Sequence, residues 1–265
     1  MTPTATTEDL HGQIAVVTGA GSGIGRAIAL ELAKAGADIV IHTGSQHEAA
    51  QEVASAVREL GRQALTVVAD LTQPESQEEL VEQAWSWQKG VDAWLNMAGV
   101  DVLTGENSKL SFEAKLQKLW NVDVMATVRL SRLVGTRMQQ RLVAPGTQCI
   151  VNMGWDQAHY GMAGESGEIF TTIKGSVMAF TRSLAKSLAP KIRVNCLAPG
   201  WIRTAWGEQA SEYWQSRAKE ECLLERWGTP EDVAHVARFL VSPAAAFMTG
   251  KILEVNGGFR SGADR

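Results

Sequence analysis

Short apolar runs alternate with helical patterns along almost the entire chain, and this alternation strongly limits the folds that it can adopt. The predicted strands are residues 14–18, 39–41, 65–69, 93–95, 149–153, 192–197 and 252–255. The predicted helices, from apolar residues at helical spacing, are about 24–35, 49–60, 112–140, 169–188 and 230–240. Strands that are apolar throughout belong to parallel sheets covered on both faces. The sequence therefore predicts a single α/β domain with a Rossmann-type, doubly wound parallel sheet of about seven strands, flanked by helices.

The ends, charge and cysteines of the chain argue against several classes of protein. The Thr-rich residues 1–11 lack the features of a signal peptide, so we expect a flexible lead-in before a domain at 12–265. A net charge of −4 without a basic block argues against nucleic acid as a partner. No apolar run reaches the roughly 18 residues of a membrane span. Three widely spaced cysteines show neither metal-ligand spacing nor a disulfide framework, so we expect a cytoplasmic protein without a metal site.

A glycine-rich turn joins the first predicted strand to the first predicted helix. Residues 18–25 have the pattern T-G-x-x-x-G-x-G. Gly19 permits a tight turn, Gly23 lets the backbone approach a pyrophosphate, and Gly25 lets the helix pack on the sheet. The free N–H groups and partial positive charge of the helix N-terminus then attract the anion. The position between strand and helix predicts a dinucleotide site. Its predicted contact residues are Gly19, Ser22, Gly23, Ile24 and Gly25.

Further segments carry a resemblance to a known family. In chain order they are Asp70 and Leu71; Asn96, Met97, Ala98 and Gly99; Pro199, Gly200, Trp201, Ile202, Arg203 and Thr204; 226–232; and 249–258. Together with the glycine turn, they resemble the short-chain dehydrogenase/reductase family, in particular its 3-oxoacyl-carrier-protein reductases and sugar-alcohol dehydrogenases. The resemblance implies that the first segment contacts the adenine of the cofactor and that the second steadies the sheet beside it. It also implies that the third segment covers the nicotinamide, whose amide its threonine binds.

The end of the second predicted strand bears on the choice between NAD and NADP. Residues 41–45 contain no carboxylate for the ribose 2′-hydroxyl of NAD. The places where the family carries cationic residues for a 2′-phosphate hold Ser22 and Gly44 instead. We favour NADP over NAD, with His42, Thr43 and Ser45 as donors to the phosphate. The alternative is that His42 is only a surface residue at the end of the strand.

In the implied family, a serine, a tyrosine, a lysine and an asparagine act together at the substrate oxygen. Trp155 stands at the serine position, Phe170 at the tyrosine position and Asp123 at the asparagine position, while Lys174 is retained. The resemblance implies that Lys174 holds the nicotinamide ribose. A benzene ring transfers no proton, and an indole N–H donates a hydrogen bond but accepts none. The segment from Phe170 to Lys174 therefore keeps the spacing of a catalytic helix without its proton donor.

Three side chains that follow the fifth predicted strand are alternative proton donors, namely Asp156, His159 and Tyr160. They come after the carboxyl end of a strand, where doubly wound folds bind their ligands. The alternative is that this loop only covers the pocket. Asp123, if buried near Lys174, is expected to form an ion pair with it, directly or through water.

Three functions stay open on these residues. The first is an NAD(P)-dependent oxidoreductase that acts on a carbonyl or alcohol through a relocated proton relay, with Tyr160, His159, Asp123 or water as the donor. The second is a cofactor-binding homologue without redox turnover, such as a sensor, scaffold or partner subunit. The third is a non-redox lyase or isomerase.

The tryptophan content bears on the substrate. Of nine tryptophans, Trp155, Trp201 and Trp206 fall on loops at the predicted cleft. Aromatic walls suit an apolar or aromatic small molecule, with plain packing as the alternative. The resemblance also implies a homodimer or homotetramer, formed through the helices at 112–140 and 169–188.

Overall fold

The computed structural model describes residues 9–260, so residues 1–8 of the predicted lead-in and residues 261–265 lie outside it. Within that range the strands are β1 (Ile14–Val17), β2 (Asp38–Thr43), β3 (Ala64–Val68), β4 (Ala93–Asn96), β5 (Gln148–Met153), β6 (Ile192–Pro199) and β7 (Ile252–Val255). They form one sheet in the order β3-β2-β1-β4-β5-β6-β7. Every neighbouring pair is parallel. The predicted doubly wound sheet of seven strands is confirmed.

Helices connect the strands and cover both faces of the sheet. They are α1 (Gly23–Lys34), α2 (His47–Glu59), α3 (Pro74–Ser86), α4 (Phe112–Leu119), α5 (Thr127–Gln140), α6 (Gln157–Tyr160), α7 (Glu165–Leu188), α8 (Ala205–Glu208), α9 (Glu212–Glu220) and α10 (Pro230–Val241). Helix α3 is not among the predicted helices, although its buried residues follow helical spacing. Between residues 9 and 260, no helix combines the length and the apolar composition that crossing a bilayer requires.

Alternate residues of the strands feed two separate hydrophobic layers. In β1, Ala15 and Val17 pack with residues of α1, α2 and α10 on one side of the sheet. Ile14 and Val16 pack with residues of α3, α5 and α7 on the other side. All four are buried, which explains why the strand is apolar without alternation. The strand order reverses between β1 and β4, and ligands of such sheets bind at that switch point, beyond the carboxyl ends of the strands.

The single helix predicted over 112–140 is wrong in its middle. A π-helical segment, Trp120–Ala126, separates α4 from α5. Such wide turns are rare and are often found at functional sites. Apolar spacing does not reveal them, because the residues on either side keep an ordinary helical pattern. Asp123 lies inside this segment and is 3% exposed.

The last residues of the predicted lead-in belong to the folded domain. Leu10 is fully buried in the layer that contains α1. Its backbone N–H donates to the Ala35 carbonyl at 2.9 Å. The domain therefore includes Leu10, which precedes the predicted boundary at residue 12.

Candidate functional site

The glycine turn lies at the switch point, and neighbouring backbone leaves no room for side chains at two of its positions. A Cβ on Gly25 would lie 2.2 Å from the Gly19 carbonyl oxygen. A Cβ on Gly19 would lie 2.7 Å from the Ala98 Cα, and Gly19 has φ +65°. Ser22, the N-cap of α1, makes no capping hydrogen bond with its side chain. The first N–H groups of α1 therefore face the crevice without a side-chain cap, which fits a diphosphate.

The end of β4 supports the turn. The Thr18 hydroxyl oxygen accepts hydrogen bonds from the N–H groups of Met97 at 2.9 Å and Ala98 at 3.0 Å. The Asn96 amide donates to the Asn152 side-chain oxygen at 2.9 Å, which ties β4 to β5. The turn and the start of the β4–α4 connection thus form one rigid unit beside the crevice.

His42 lies beneath the glycine turn, and the prediction that it binds a phosphate is wrong. The residue is 1% exposed. Its Nδ1 accepts from the Gly19 N–H at 3.3 Å, and its Nε2 donates to the Ala69 carbonyl at 2.9 Å. Burial lowers the pKa of His42, so the ring is neutral near pH 7. It positions the turn and has no free nitrogen for a ligand.

Residues after β2 and β3 lie along the same edge of the sheet. Gly44 and Ser45 are exposed after β2. Asp70 is exposed after β3, and its Oδ1 accepts from the N–H and hydroxyl of Thr72 at 2.9 and 2.8 Å. Leu71 beside it is 5% exposed. These positions extend the crevice from the turn toward the β3 edge.

The expected ion pair between Asp123 and Lys174 is present. Lys174 Nζ lies 2.7 Å from Asp123 Oδ1, and the two side chains are 13% and 3% exposed. The other carboxylate oxygen accepts from the Val100 N–H at 3.1 Å. A Cβ on Gly99 would lie 2.9 Å from Asp123 Oδ1, so any side chain there would displace the Asp123 carboxylate. The π-helical segment and α7 are thereby joined at a buried charged contact.

A cavity of about 490 Å³ opens beside Lys174. Residues already predicted for the site that line it are Ile24, Trp155, Phe170, Lys174, Pro199, Gly200, Trp201, Ile202, Thr204 and Trp206. The other lining residues were not predicted from the sequence; they are Leu103, Met153, Gly154, Met162, Ser166 and Trp214. Its walls are mainly apolar and aromatic, and its volume is typical of small-molecule sites. Ser166 was within reach of sequence reasoning, because it precedes Phe170 by one helical turn.

Two aromatic side chains, Trp155 and Phe170, form one wall of the cavity. Trp155 and Phe170 meet edge to face, with ring centroids 6.1 Å apart and planes at 68°. Phe170 and Lys174 lie one turn apart in α7, so both side chains face the cavity. This wall binds apolar surface and supplies no group that both gives and takes a proton.

His159 and Tyr160 lie outside the cavity, which contradicts a catalytic role for Tyr160. The Tyr160 hydroxyl donates to Glu254 Oε2 at 2.9 Å, and the residue is 52% exposed. Its ring stacks on Phe259 at 4.4 Å. His159 Nδ1 binds the other Glu254 oxygen at 2.7 Å. Both residues therefore join α6 to β7, and neither contributes a polar group to the cavity.

Asp156 is buried behind the loop that follows β6. It is 2% exposed, and it accepts from the Gln157 N–H at 2.7 Å and the Asn256 amide at 3.1 Å. Burial raises the pKa of Asp156 to about 6. A Cβ on Gly200 would lie 3.0 Å from its Oδ2. Asp156 supports the backbone of this loop from behind and does not line the cavity.

A cluster of indoles closes the far side of the cavity. Its members, which we call the indole cluster, are Trp201, Trp206, Trp214 and Trp227. Their ring centroids lie from 5.5 to 6.2 Å apart. Arg217 packs over the Trp214 ring at 5.1 Å and binds Glu221 at 2.7 Å. The cluster packs α8 and α9 against the loop after β6 and gives the cavity an aromatic wall.

Comparisons with known proteins agree with this geometry. A family described as enoyl-(acyl carrier protein) reductase matches residues 19–260. The 3-oxoacyl-acyl-carrier-protein reductase FabG of Aquifex aeolicus is 36% identical over 254 residues, which cover 94% of this chain and 98% of that protein.

Two solved structures share the fold closely. One, described as an NAD(P)-dependent gluconate 5-dehydrogenase from Beutenbergia cavernae and holding NADP, has a TM-score of 0.83 at 32% identity, covering 95% of this chain and 98% of its own. The other is a 7α-hydroxysteroid dehydrogenase complexed with NADH and 7-oxo glycochenodeoxycholic acid. Its TM-score is 0.85 at 29% identity, with 96% of each chain covered. The crevice, the glycine turn and these matches over nearly the whole chain show that it belongs to the short-chain dehydrogenase/reductase family of oxidoreductases.

Proposed function

We propose that this protein is an NAD(P)-dependent oxidoreductase that interconverts a carbonyl and an alcohol on an apolar, aromatic-sized substrate, without a tyrosine as proton donor. One observation carries the proposal. Lys174, which is held by its buried contact with Asp123, lines an apolar cavity that also reaches Ile24 of the glycine turn. A cofactor bound along the turn would therefore meet a substrate in the cavity beside a fixed ammonium group.

The residues of the crevice fit a nicotinamide dinucleotide. Glycines at 19 and 25 bring backbone close enough to accept a diphosphate at the start of α1. The Thr204 methyl lies 3.6 Å from where a Cβ on Gly23 would stand, so the loop after β6 reaches across to the turn. When bound, the reduced nicotinamide supplies the hydride for the substrate carbon.

NADP is the cofactor that we propose. The strand end at 41–45 holds no carboxylate that would repel a 2′-phosphate. Exposed Ser45 and Ser22 offer hydroxyl donors along this edge. His42 is buried and contributes nothing to the choice. Related structures hold NADP in one case and NADH in another, so measured affinities for both decide between them.

Lys174 takes over part of the work of the missing hydroxyl groups. Its ammonium has three N–H donors, of which Asp123 uses one. The others face the cavity, where they can hold a ribose hydroxyl or a water. A positive charge in an apolar site favours the negative charge that develops on a carbonyl oxygen during reduction. Asp123 fixes the position of that charge.

A second candidate function has an observation in its favour. Phe170 and Trp155, which the resemblance puts at the tyrosine and serine positions, line the cavity with aromatic rings that contact each other. Loss of general acid–base catalysis costs about 10²–10⁴ in rate. A protein that binds the cofactor and an aromatic ligand without turning them over, as a sensor or partner subunit, is consistent with that wall.

The test begins with titrations of NADPH and NADH, followed through quenching of tryptophan emission. NADPH oxidation is then recorded with a panel of aromatic and alicyclic ketones, and Lys174→Met is compared once circular dichroism has shown that this variant stays folded without the ion pair. Binding together with ketone-dependent oxidation that Lys174→Met abolishes supports the oxidoreductase. Binding without turnover on the panel favours the second candidate. Conversion of substrate without any change in nicotinamide absorbance indicates a lyase or isomerase. A failure to bind either cofactor rejects both the oxidoreductase and the cofactor-binding protein without turnover.

A further inference from the structure

A serine hydroxyl lies in the cavity, next to the aromatic wall. Ser166 is in the first turn of α7, one turn before Phe170 and two before Lys174. All three side chains line the cavity, as residues spaced four apart on one helix face should. Helical side chains tilt toward the helix N-terminus. The far edge of the Phe170 ring, where a tyrosine would carry its hydroxyl, is therefore directed toward the turn that contains Ser166.

The Ser166 hydroxyl is available to a ligand. Among residues 9–260 no hydrogen-bond partner of Ser166 Oγ is found, and the residue is partly exposed. Two other serines of α7 use their hydroxyls within the helix: Ser176 donates to the Thr172 carbonyl at 2.8 Å and Ser187 to the Ser183 carbonyl at 3.2 Å. Ser166 thus differs from them both in facing the cavity and in being unpaired there.

The other polar groups of the cavity suit the substrate oxygen less well. Thr204, the other hydroxyl among the lining residues, lies against the glycine turn on the cofactor side. The Trp201 N–H already donates to Glu221 at 2.9 Å. An indole N–H such as that of Trp155 donates but accepts nothing, so it cannot pass a proton onward. A serine hydroxyl donates to one oxygen while it accepts from another.

We propose, on the basis of the oxidoreductase function proposed above, that Ser166 binds the substrate oxygen and replaces the missing phenol in the proton relay. As the carbonyl carbon accepts the hydride, the π-electron pair moves to the oxygen, which takes the Ser166 proton. Ser166 Oγ takes a proton from water in the same step, and the hydroxide left behind is neutralised by bulk solvent. The substrate class is a ketone attached to a planar apolar body, which packs on Phe170 and the indole cluster.

Binding of a matched ligand pair tests the contact without relying on turnover. The probes are the bicyclic ketone 1-tetralone and its oxygen-free counterpart tetralin, titrated into protein saturated with NADP⁺ and followed by tryptophan quenching. Ser166→Ala should weaken 1-tetralone binding by about threefold to tenfold, as expected for one hydrogen bond, and leave tetralin binding unchanged. Ser176→Ala, on the same helix but bonded to backbone, is the control and should change neither. The inference is overturned if both ligands weaken equally, if neither changes, or if neither binds the wild-type protein.

Kinetics with Phe170→Tyr separate a relay from a purely structural role. Ser166→Ala should lower kcat for ketone reduction by at least about tenfold in the wild-type background. In the Phe170→Tyr background the phenol supplies the proton, so the same change should cost less than about twofold. Equal losses in both backgrounds would show that Ser166 acts independently of that position and would overturn the relay. A wild type that binds 1-tetralone through Ser166 but never oxidises NADPH refutes the oxidoreductase and the relay, while the binding contact stands.

Discussion

The two sides of the crevice are constrained in different ways. On the cofactor side, backbone atoms lie 2.2 to 2.7 Å from the positions where a Cβ on Gly25 or Gly19 would stand. On the substrate side, side chains alone form the wall, with Trp155 against Phe170 and Trp214 in the indole cluster. Backbone packing tolerates no substitution, whereas a side-chain wall changes without disturbing the sheet. A fold can therefore keep its cofactor crevice while its catalytic groups are replaced.

Breaking the buried ion pair should have the largest effect, because Asp123 and Lys174 join the π-helical segment to α7 between the two sides of the crevice. Lys174→Met leaves Asp123 without its cationic partner at 3% exposure, and we expect a loss of about 3–5 kcal/mol in the free energy of unfolding. Urea denaturation measures it. Lys186→Met, at an exposed position of the same helix, should cost well under about 1 kcal/mol. Equal costs for the two would mean that Asp123 is solvated and that the contact between the two sides is weak.

The cofactor side is probed with Gly25→Ala. The new methyl group meets the Gly19 carbonyl, and neither backbone segment can move without opening the turn. We expect NADPH affinity to fall at least about 100-fold, near the upper range for overpacking. Tryptophan quenching measures the change. Gly175→Ala, which has free space around its Cβ, is the control and should retain full affinity, so a similar loss there would place the cause outside the turn.

On the substrate side, one substitution should raise the rate of ketone reduction. Phe170→Tyr adds a hydroxyl on the face of α7 that lines the cavity, and we expect ketone reduction to rise by about 100-fold through restored acid catalysis. Initial rates of NADPH oxidation give the value. Phe180→Tyr, on the same helix but packed against the layer that contains α3 and α5 and not lining the cavity, should leave the rate unchanged. If Phe170→Tyr binds cofactor and ketone but gains nothing, Trp155 blocks the approach and the two sides are not independent.

The contribution of Asp156 to the free energy of unfolding should depend on pH. The pKa of Asp156 is raised to about 6 by burial, from an ordinary value of 3.8. The folded state therefore binds a proton that the unfolded state has lost between these values, so stability falls as pH rises through this range. Asp156→Asn stays neutral, and its stability relative to wild type should improve by about 2 kcal/mol from pH 4 to pH 7. Urea unfolding at both values measures the difference, and a pH-independent difference would contradict the burial of this charge.

The fold was predictable because its signals are local. Apolar strands, helical spacing and the glycine turn each lie within a few residues of sequence. The roles of His42 and Tyr160 were not, because their partners come from distant elements. Gly19 and Ala69 occupy both nitrogens of His42, and Glu254 draws Tyr160 away from the cavity. A buried imidazole and a surface imidazole look alike in sequence, so only the packed structure separates them.

The position of Ser166 in the cavity could have been predicted from its spacing in the sequence. Ser166 precedes Phe170 at the interval that places two side chains on one helix face. The ion pair was expected from the resemblance, since Asp123 stands where a polar partner of Lys174 belongs. Its geometry was not, because nothing in the apolar pattern indicates the wide turn at Trp120–Ala126.

The π-helical segment makes the contact between Asp123 and Lys174 sensitive to the number of residues in that segment. Each residue of an ordinary α-helix advances the direction of its neighbour by about 100°. Deleting one residue within Trp120–Ala126 would let the segment rewind as a continuous α-helix and rotate Asp123 away from Lys174. An in-frame deletion of one codon would then break the ion pair between Asp123 and Lys174, although the side chains that line the cavity would be unchanged in type.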